Sequence, residues 1–107
     1  MKHKLNGLDR LIIPKLFAEE GNMLEQITIK EINEKVAIKS EEFKEYGLKE
    51  KADGNLEWDS ELIKVEKDYD LTKAQTQCMK DAVDKKDKDN KITQWILETC
   101  QKIKKMR

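Results

Sequence analysis

The stretch that most restricts how this chain can fold is KEYGLKEKADGNLEWDSE, residues 44–61. Asp53-Gly54 is a strong reversal signal between two short alternating runs, so the chain must double back there as an antiparallel hairpin. A two-residue loop would set Lys49 opposite Trp58 and Lys51 opposite Leu56, an apolar residue against a lysine each time. A three-residue loop, Ala52-Asp53-Gly54, with Gly54 left-handed, sets Leu48 opposite Trp58 and Lys49 opposite Glu57. Each such pair is worth roughly 0.2–1 kcal/mol. A slip of one residue would turn every side chain to the other face, so the odd loop is expected. It buries Leu48, Leu56 and Trp58 on one face and leaves Lys49 and Glu57 outside.

Helical periodicity fills most of the remainder. Leu5, Leu8, Ile12 and Leu16 recur at helical spacing, widened by Leu11, Ile13 and Phe17. Pro14 lies inside that pattern, where it removes a donor and crowds the preceding turn, so a kink or two short helices is expected. Gly21 is read as the left-handed residue closing this segment. Asn22 with Glu25 three residues on opens a second helix, whose buried face is read as Leu24, Ile27, Ile32 and Val36 with Ile29 alongside. Ser40, Glu41 and Glu42 start a short third helix, ended by Tyr46-Gly47.

Residues 62–69 fit two patterns. Ile63, Val65, Lys67 and Tyr69 alternate with Lys64, Glu66 and Asp68, which is strand periodicity. Thr72 and Gln75 then form a T-x-x-Q capping box, which announces a new helix rather than the middle of an old one. The sequence therefore reads as a third strand over 62–69 and a helix from 73 to about 87. Thr93 caps a last helix with the stripe Ile92, Ile96, Cys100 and Ile103. The expected fold is α+β: a three-stranded antiparallel meander packed on four or five helices, one domain over 1–107, with 1–4 and 104–107 fraying.

The chain has 107 residues, of which 22 are basic and 22 acidic. That length supplies one core. The balance leaves no global field for nucleic acid. No run of about 18 apolar residues is present, so no membrane-spanning helix is expected. Asp9, Arg10 and Lys15 interrupt the N-terminal apolar run, which argues against a signal peptide. Cys78 and Cys100 do not make a disulfide framework and read as buried thiols of a cytoplasmic protein in a bacterial cell.

Catalytic and metal chemistry find little support in the residues. VDKKDKDNKITQWILE invites a calcium-loop reading. With Ile92 at the eighth position, however, Lys85 stands at the first and Ile96 at the twelfth, where a bidentate glutamate is needed. Starting at Asp87 puts Glu98 at the twelfth, but Lys91 and Ile92 at the fifth and sixth. His3 is the only histidine, the four glycines are isolated, and the acid pairs Glu19-Glu20 and Glu41-Glu42 are neighbours that do not face each other on a helix. No cofactor and no enzymatic activity are expected. Lys91, Lys102, Lys104 and Lys105 form a candidate basic patch, set against their simpler role as cations at the negative end of a helix.

The order of these signals resembles a family of small proteins of bacteriophages and prophages of Gram-positive bacteria. The matching pieces are DRLIIPKLFAEEGN at 9–22, EEFKEYGLKEKADGNLEWD at 41–59 and LTKAQTQCMKDAVDKKDKDNKIT at 71–93. Relatives finish in an aromatic-rich segment, whereas this chain ends in QKIKKMR, and Pro14 stands earlier than their proline. The resemblance implies a phage origin and a similar fold, and it carries over no functional residue. The expected function is a non-enzymatic module that binds a host or phage protein. The alternatives are a nucleic-acid-binding accessory protein using the basic residues, or a virion or assembly component whose isolated chain oligomerises.

Overall fold

The computed structural model describes residues 2–107. Twelve short elements follow one another: β1 (Lys2–Leu5), α1 (Gly7–Ile12), a 3-10 turn (Ile13–Lys15), α2 (Met23–Val36), a 3-10 turn (Ser40–Glu42), α3 (Phe43–Tyr46), β2 (Lys49–Glu50), β3 (Leu56–Glu57), a 3-10 turn (Leu62–Lys64), β4 (Lys67–Asp70), α4 (Lys73–Lys88) and α5 (Gln94–Lys104). The fold is α+β.

The strands form two separate antiparallel ribbons, β1 with β4 and β2 with β3, rather than one three-stranded meander. The reason lies at Asp59. Its carboxylate accepts the backbone N–H groups of Glu61 and Leu62 at 2.8 and 3.0 Å, which coils the chain immediately after the hairpin. Residues 62–64 therefore form a 3-10 turn, and the strand expected over 62–69 is confined to Lys67–Asp70. Its partner is β1, with Lys2 opposite Asp70 and Lys4 opposite Asp68. Opposite charges across an antiparallel pair favour that register.

Lys2–Leu5 is thus strand, not the first turn of a helix, and Met1, the first residue of the end expected to fray, lies outside the described residues. Asn6 and Asp9 form a reciprocal capping box, Asp9 N to Asn6 Oδ1 at 2.8 Å and Asn6 N to Asp9 Oδ2 at 3.0 Å, so helix α1 starts after Leu5. Pro14 falls in the first turn of the 3-10 segment, where a missing N–H costs nothing, and divides the long helical pattern into two short pieces as its geometry requires. Gly21 has no positive φ; helix geometry has already ended at Lys15.

The hairpin has the expected register. Lys49 pairs with Glu57, Lys51 N donates to the Asn55 carbonyl, and Gly54 is left-handed at φ 84. Leu48 is buried at 7% exposure and Trp58 half-buried, but Leu56 is 42% exposed, because the ribbon is too short to lay its tip on the body of the protein.

Two cores are joined by one buried cation. The larger gathers Leu5, Ile12, Ile32, Met79, Val83, Ile103 and Met106, among others. The smaller is Tyr46, Leu48 and Ile63. Between them sits Arg10, with all five guanidinium N–H bonds matched to acceptors. Nε reaches the Val36 carbonyl at 2.9 Å, Nη2 the Ala37 carbonyl at 2.6 Å and Glu42 Oε1 at 2.8 Å, and Nη1 Glu42 Oε2 at 2.5 Å and the Tyr46 hydroxyl at 3.1 Å. Its plane also lies 5.1 Å from the Tyr69 ring centre. Arg10 closes the C-terminus of α2, where carbonyls lack intrahelical partners, and ties it to α3 and β4.

A candidate docking groove between two helices

Helices α2 and α4 are tied at one end by polar contacts. Lys35 Nζ donates to Gln75 Oε1 and to the Asp70 carbonyl, each at 2.8 Å, and Gln75 Nε2 reaches Glu31 at 3.4 Å. Gln75 is positioned because it also closes the capping box with Thr72 at the start of α4. Below these contacts the C-terminal half of α2 is buried through Ile32 and Val36.

At the other end a groove of about 590 Å3 remains between the helices. Leu16 and Phe17 line it from the turn after Pro14, Leu24 and Ile29 from α2, and Cys78 and Ala82 from α4. Residues four apart share a helix face, so Cys78, Ala82 and Lys86 form one wall. The N-terminal half of α2 leaves Met23 79%, Leu24 74% and Ile27 49% exposed. Leu24 and Ile27, read from their spacing as core, are thus on the surface. The helical period is right, but the rest of the chain covers only half the stripe. Three large apolar residues within five positions of one exposed helix make a patch of the sort that marks interaction surfaces.

The rim is charged with both signs. Burial raises the Cys78 thiol above its ordinary range, and Asp81 and Glu25 add to it. Both acids line the groove, and the Glu25 carboxylate folds back to Asn22 Nδ2 at 3.0 Å. Lys85, Lys86 and Lys91 line it toward the C-terminal end of α4. That helix closes in a left-handed turn at Asn90 (φ 57), with Asn90 N bonded to the Asp87 carbonyl and Lys91 N to that of Lys86. Asp87 and Asp89 are therefore helix-end residues. Among the described residues, no three His, Cys, Asp or Glu side chains gather as a metal site.

The four lysines of the candidate basic patch face different elements. Lys102 pairs with Asp9 on α1 and lies 3.4 Å from Glu66, and its ammonium is raised above its usual range because these carboxylates outweigh the burial that opposes it. Asp9 in turn accepts the Thr99 hydroxyl at 2.6 Å, so Lys102 belongs to a buried link between α1 and α5. Lys104 pairs with Asp84 at 2.5 Å on α4, Lys105 is exposed just beyond α5, and Lys91 belongs to the groove.

Both thiols are free, Cys78 half-buried in the groove and Cys100 buried in the core. Among the described residues no helix is long and apolar enough to cross a membrane. No described protein family, no curated protein and no solved structure matches this chain.

Proposed function

We propose that the chain is a non-enzymatic protein-interaction module of phage or prophage origin, acting in the bacterial cytoplasm, that docks protein through the groove between α2 and α4. The observation that carries this reading is the apolar groove flanked by Met23, Leu24 and Ile27, whose exposed area is left uncovered by the described residues. Fully burying an exposed leucine or methionine side chain contributes about 1.5–3 kcal/mol, so a partner that covers these residues is favoured. The nucleic-acid alternative draws less support, because Lys102 and Lys104 are already engaged by carboxylates.

The test is comparative capture from bacterial lysate. Wild-type bait and Leu24→Glu/Ile27→Glu bait, both exposed changes that spare the core, are challenged side by side. A protein enriched by the first and at least about tenfold less by the second is the expected result. Equal recovery by both baits, or none by either, would overturn the reading.

A further inference from the structure

We propose that residues 38–65 form a flap that comes away and unfolds as one unit while the rest of the molecule stays folded, with Arg10 and Lys67 as its latch. The groove lies elsewhere, since all its lining residues fall outside this segment.

The backbone of the segment bonds only to itself. Leu48 N donates to the Phe43 carbonyl at 2.8 Å, Lys51 N to that of Asn55 at 2.7 Å, Asp59 N to that of Tyr46 at 3.1 Å and Ile63 N to that of Asp59 at 3.0 Å. Among the described residues no backbone hydrogen bond runs from this segment to the backbone outside it. Its core is its own too, Tyr46, Leu48 and Ile63, separate from the larger one. So small a core around a two-stranded ribbon does not stand alone in water, so the segment melts once it leaves the body.

The body loses no backbone hydrogen bond when the segment leaves. The boundaries are single extended residues, Ala37 (φ −55, ψ 133) and Val65 (φ −65, ψ 122). Each is anchored on its body side: the Ala37 carbonyl accepts Arg10 Nη2 at 2.6 Å, and Glu66 lies 3.4 Å from Lys102. Beyond Glu66, strand β4 is held by β1.

The polar ties across the boundary converge on two side chains. Arg10 holds both Glu42 oxygens and the Tyr46 hydroxyl, and Lys67 holds Glu42 at 3.0 Å and Glu45 at 2.5 Å. Beneath them α1 packs on the segment through Leu8 and Leu11, and closely at Gly7, where a Cβ would stand 2.7 Å from Ile63 Cδ1. Opening therefore uncovers Leu8 and Leu11, an apolar face that the closed protein hides. Units with few apolar contacts to the body are the ones that open below the global free energy.

Native-state hydrogen exchange of the whole chain, read at single amides in low denaturant, tests the flap. The amides of Leu48, Asp59 and Ile63 should share one opening and, corrected for intrinsic rates, exchange at least about tenfold faster than those of Met79 in α4 and Cys100 in α5. Val83→Ala lies in the larger core and weakens the closed and flap-open states alike. It should speed the helix amides at least about tenfold and leave the flap amides within about twofold. Should that variant not fold, Ile103→Val makes the same comparison with a smaller core loss. Glu42→Gln weakens the latch, so it should speed Leu48, Asp59 and Ile63 together, by about tenfold or more. One common factor for flap and helices in the core variant overturns the proposal. So do flap amides that fail to move, or move separately, with Glu42→Gln.

Discussion

The guanidinium of Arg10 and the carboxylate of Glu42 meet fork to fork, at 2.5 and 2.8 Å, inside a protein whose charged residues otherwise lie mostly at the surface. Arg10 is 4% exposed and makes three further hydrogen bonds there. Truncation to Arg10→Ala would orphan the Val36 and Ala37 carbonyls and leave Glu42 with only Lys67 and the Lys39 N–H. A loss of about 3–5 kcal/mol is expected, as for other broken buried pairs. Arg10→Lys should recover only part of it, since an ammonium cannot span both helix-end carbonyls and both carboxylate oxygens. Thermal melts of the two variants check the order, with Arg10→Ala falling by more than about 10 °C.

The same pair sets the acid response. The Arg10 hydrogen bonds hold the Glu42 carboxyl well below its ordinary 4.5, against the opposing effect of burial and with help from Lys67 and the Lys39 N–H. A group depressed in the folded state binds fewer protons there than in the unfolded chain. Its contribution is therefore complete above the ordinary value and is lost as pH falls toward the folded one. Urea midpoints of wild type should drop from about pH 5 downward. Glu42→Gln should start lower at neutral pH and vary less, so that the gap between the two narrows with acid. A gap that stays constant would show that Glu42 does not drive the acid response.

How much of this was readable beforehand differs by element. The hairpin register was legible because two independent patterns, apolar Leu48–Trp58 and ionic Lys49–Glu57, agree on one loop length. The start of α4 was legible because Thr72 and Gln75 are a local chemical signal, and the structure contains both of their hydrogen bonds. The β1–β4 ribbon was not. Alternation in residues 67–70 marks a strand but names no partner, and Lys2 and Lys4 match Asp70 and Asp68 only once the pairing is known. Leu5 also fitted a helical stripe, and the Asn6–Asp9 box that excludes it was the overlooked signal. For the groove, period alone identified the apolar face of α2, but which half is covered depends on how far α4 diverges. Burial of Arg10 had no sequence signal, because its acceptors come from residues 36, 37, 42 and 46.

Gly47 and Gly54 give a controlled comparison. Both are left-handed, at φ 64 and φ 84. A Cβ on Gly54 meets nothing within 4 Å, whereas one on Gly47 would stand 2.7 Å from the Asp59 Cβ and 3.0 Å from its backbone nitrogen. Gly54→Ala should therefore cost only the left-handed penalty of about 1–2 kcal/mol. Gly47→Ala should cost more, because it also forces apart the contact that places Asp59, whose N–H bonds the Tyr46 carbonyl at 3.1 Å. Denaturant midpoints of the two variants decide it, and equal losses would mean that the hairpin base yields freely.

The two thiols report on the groove and the core separately. Burial pushes both above their ordinary range, and for Cys78 the neighbouring Asp81 and Glu25 add to it. Since the thiolate is the reactive form, both should react with an aromatic disulfide reagent more slowly than a free thiol at neutral pH. Cys100, buried in the core, should stay silent until the protein unfolds, while Cys78 in the groove reacts in the native state. Equal labelling rates for the two thiols in the native protein would show that the core admits the reagent as readily as the groove.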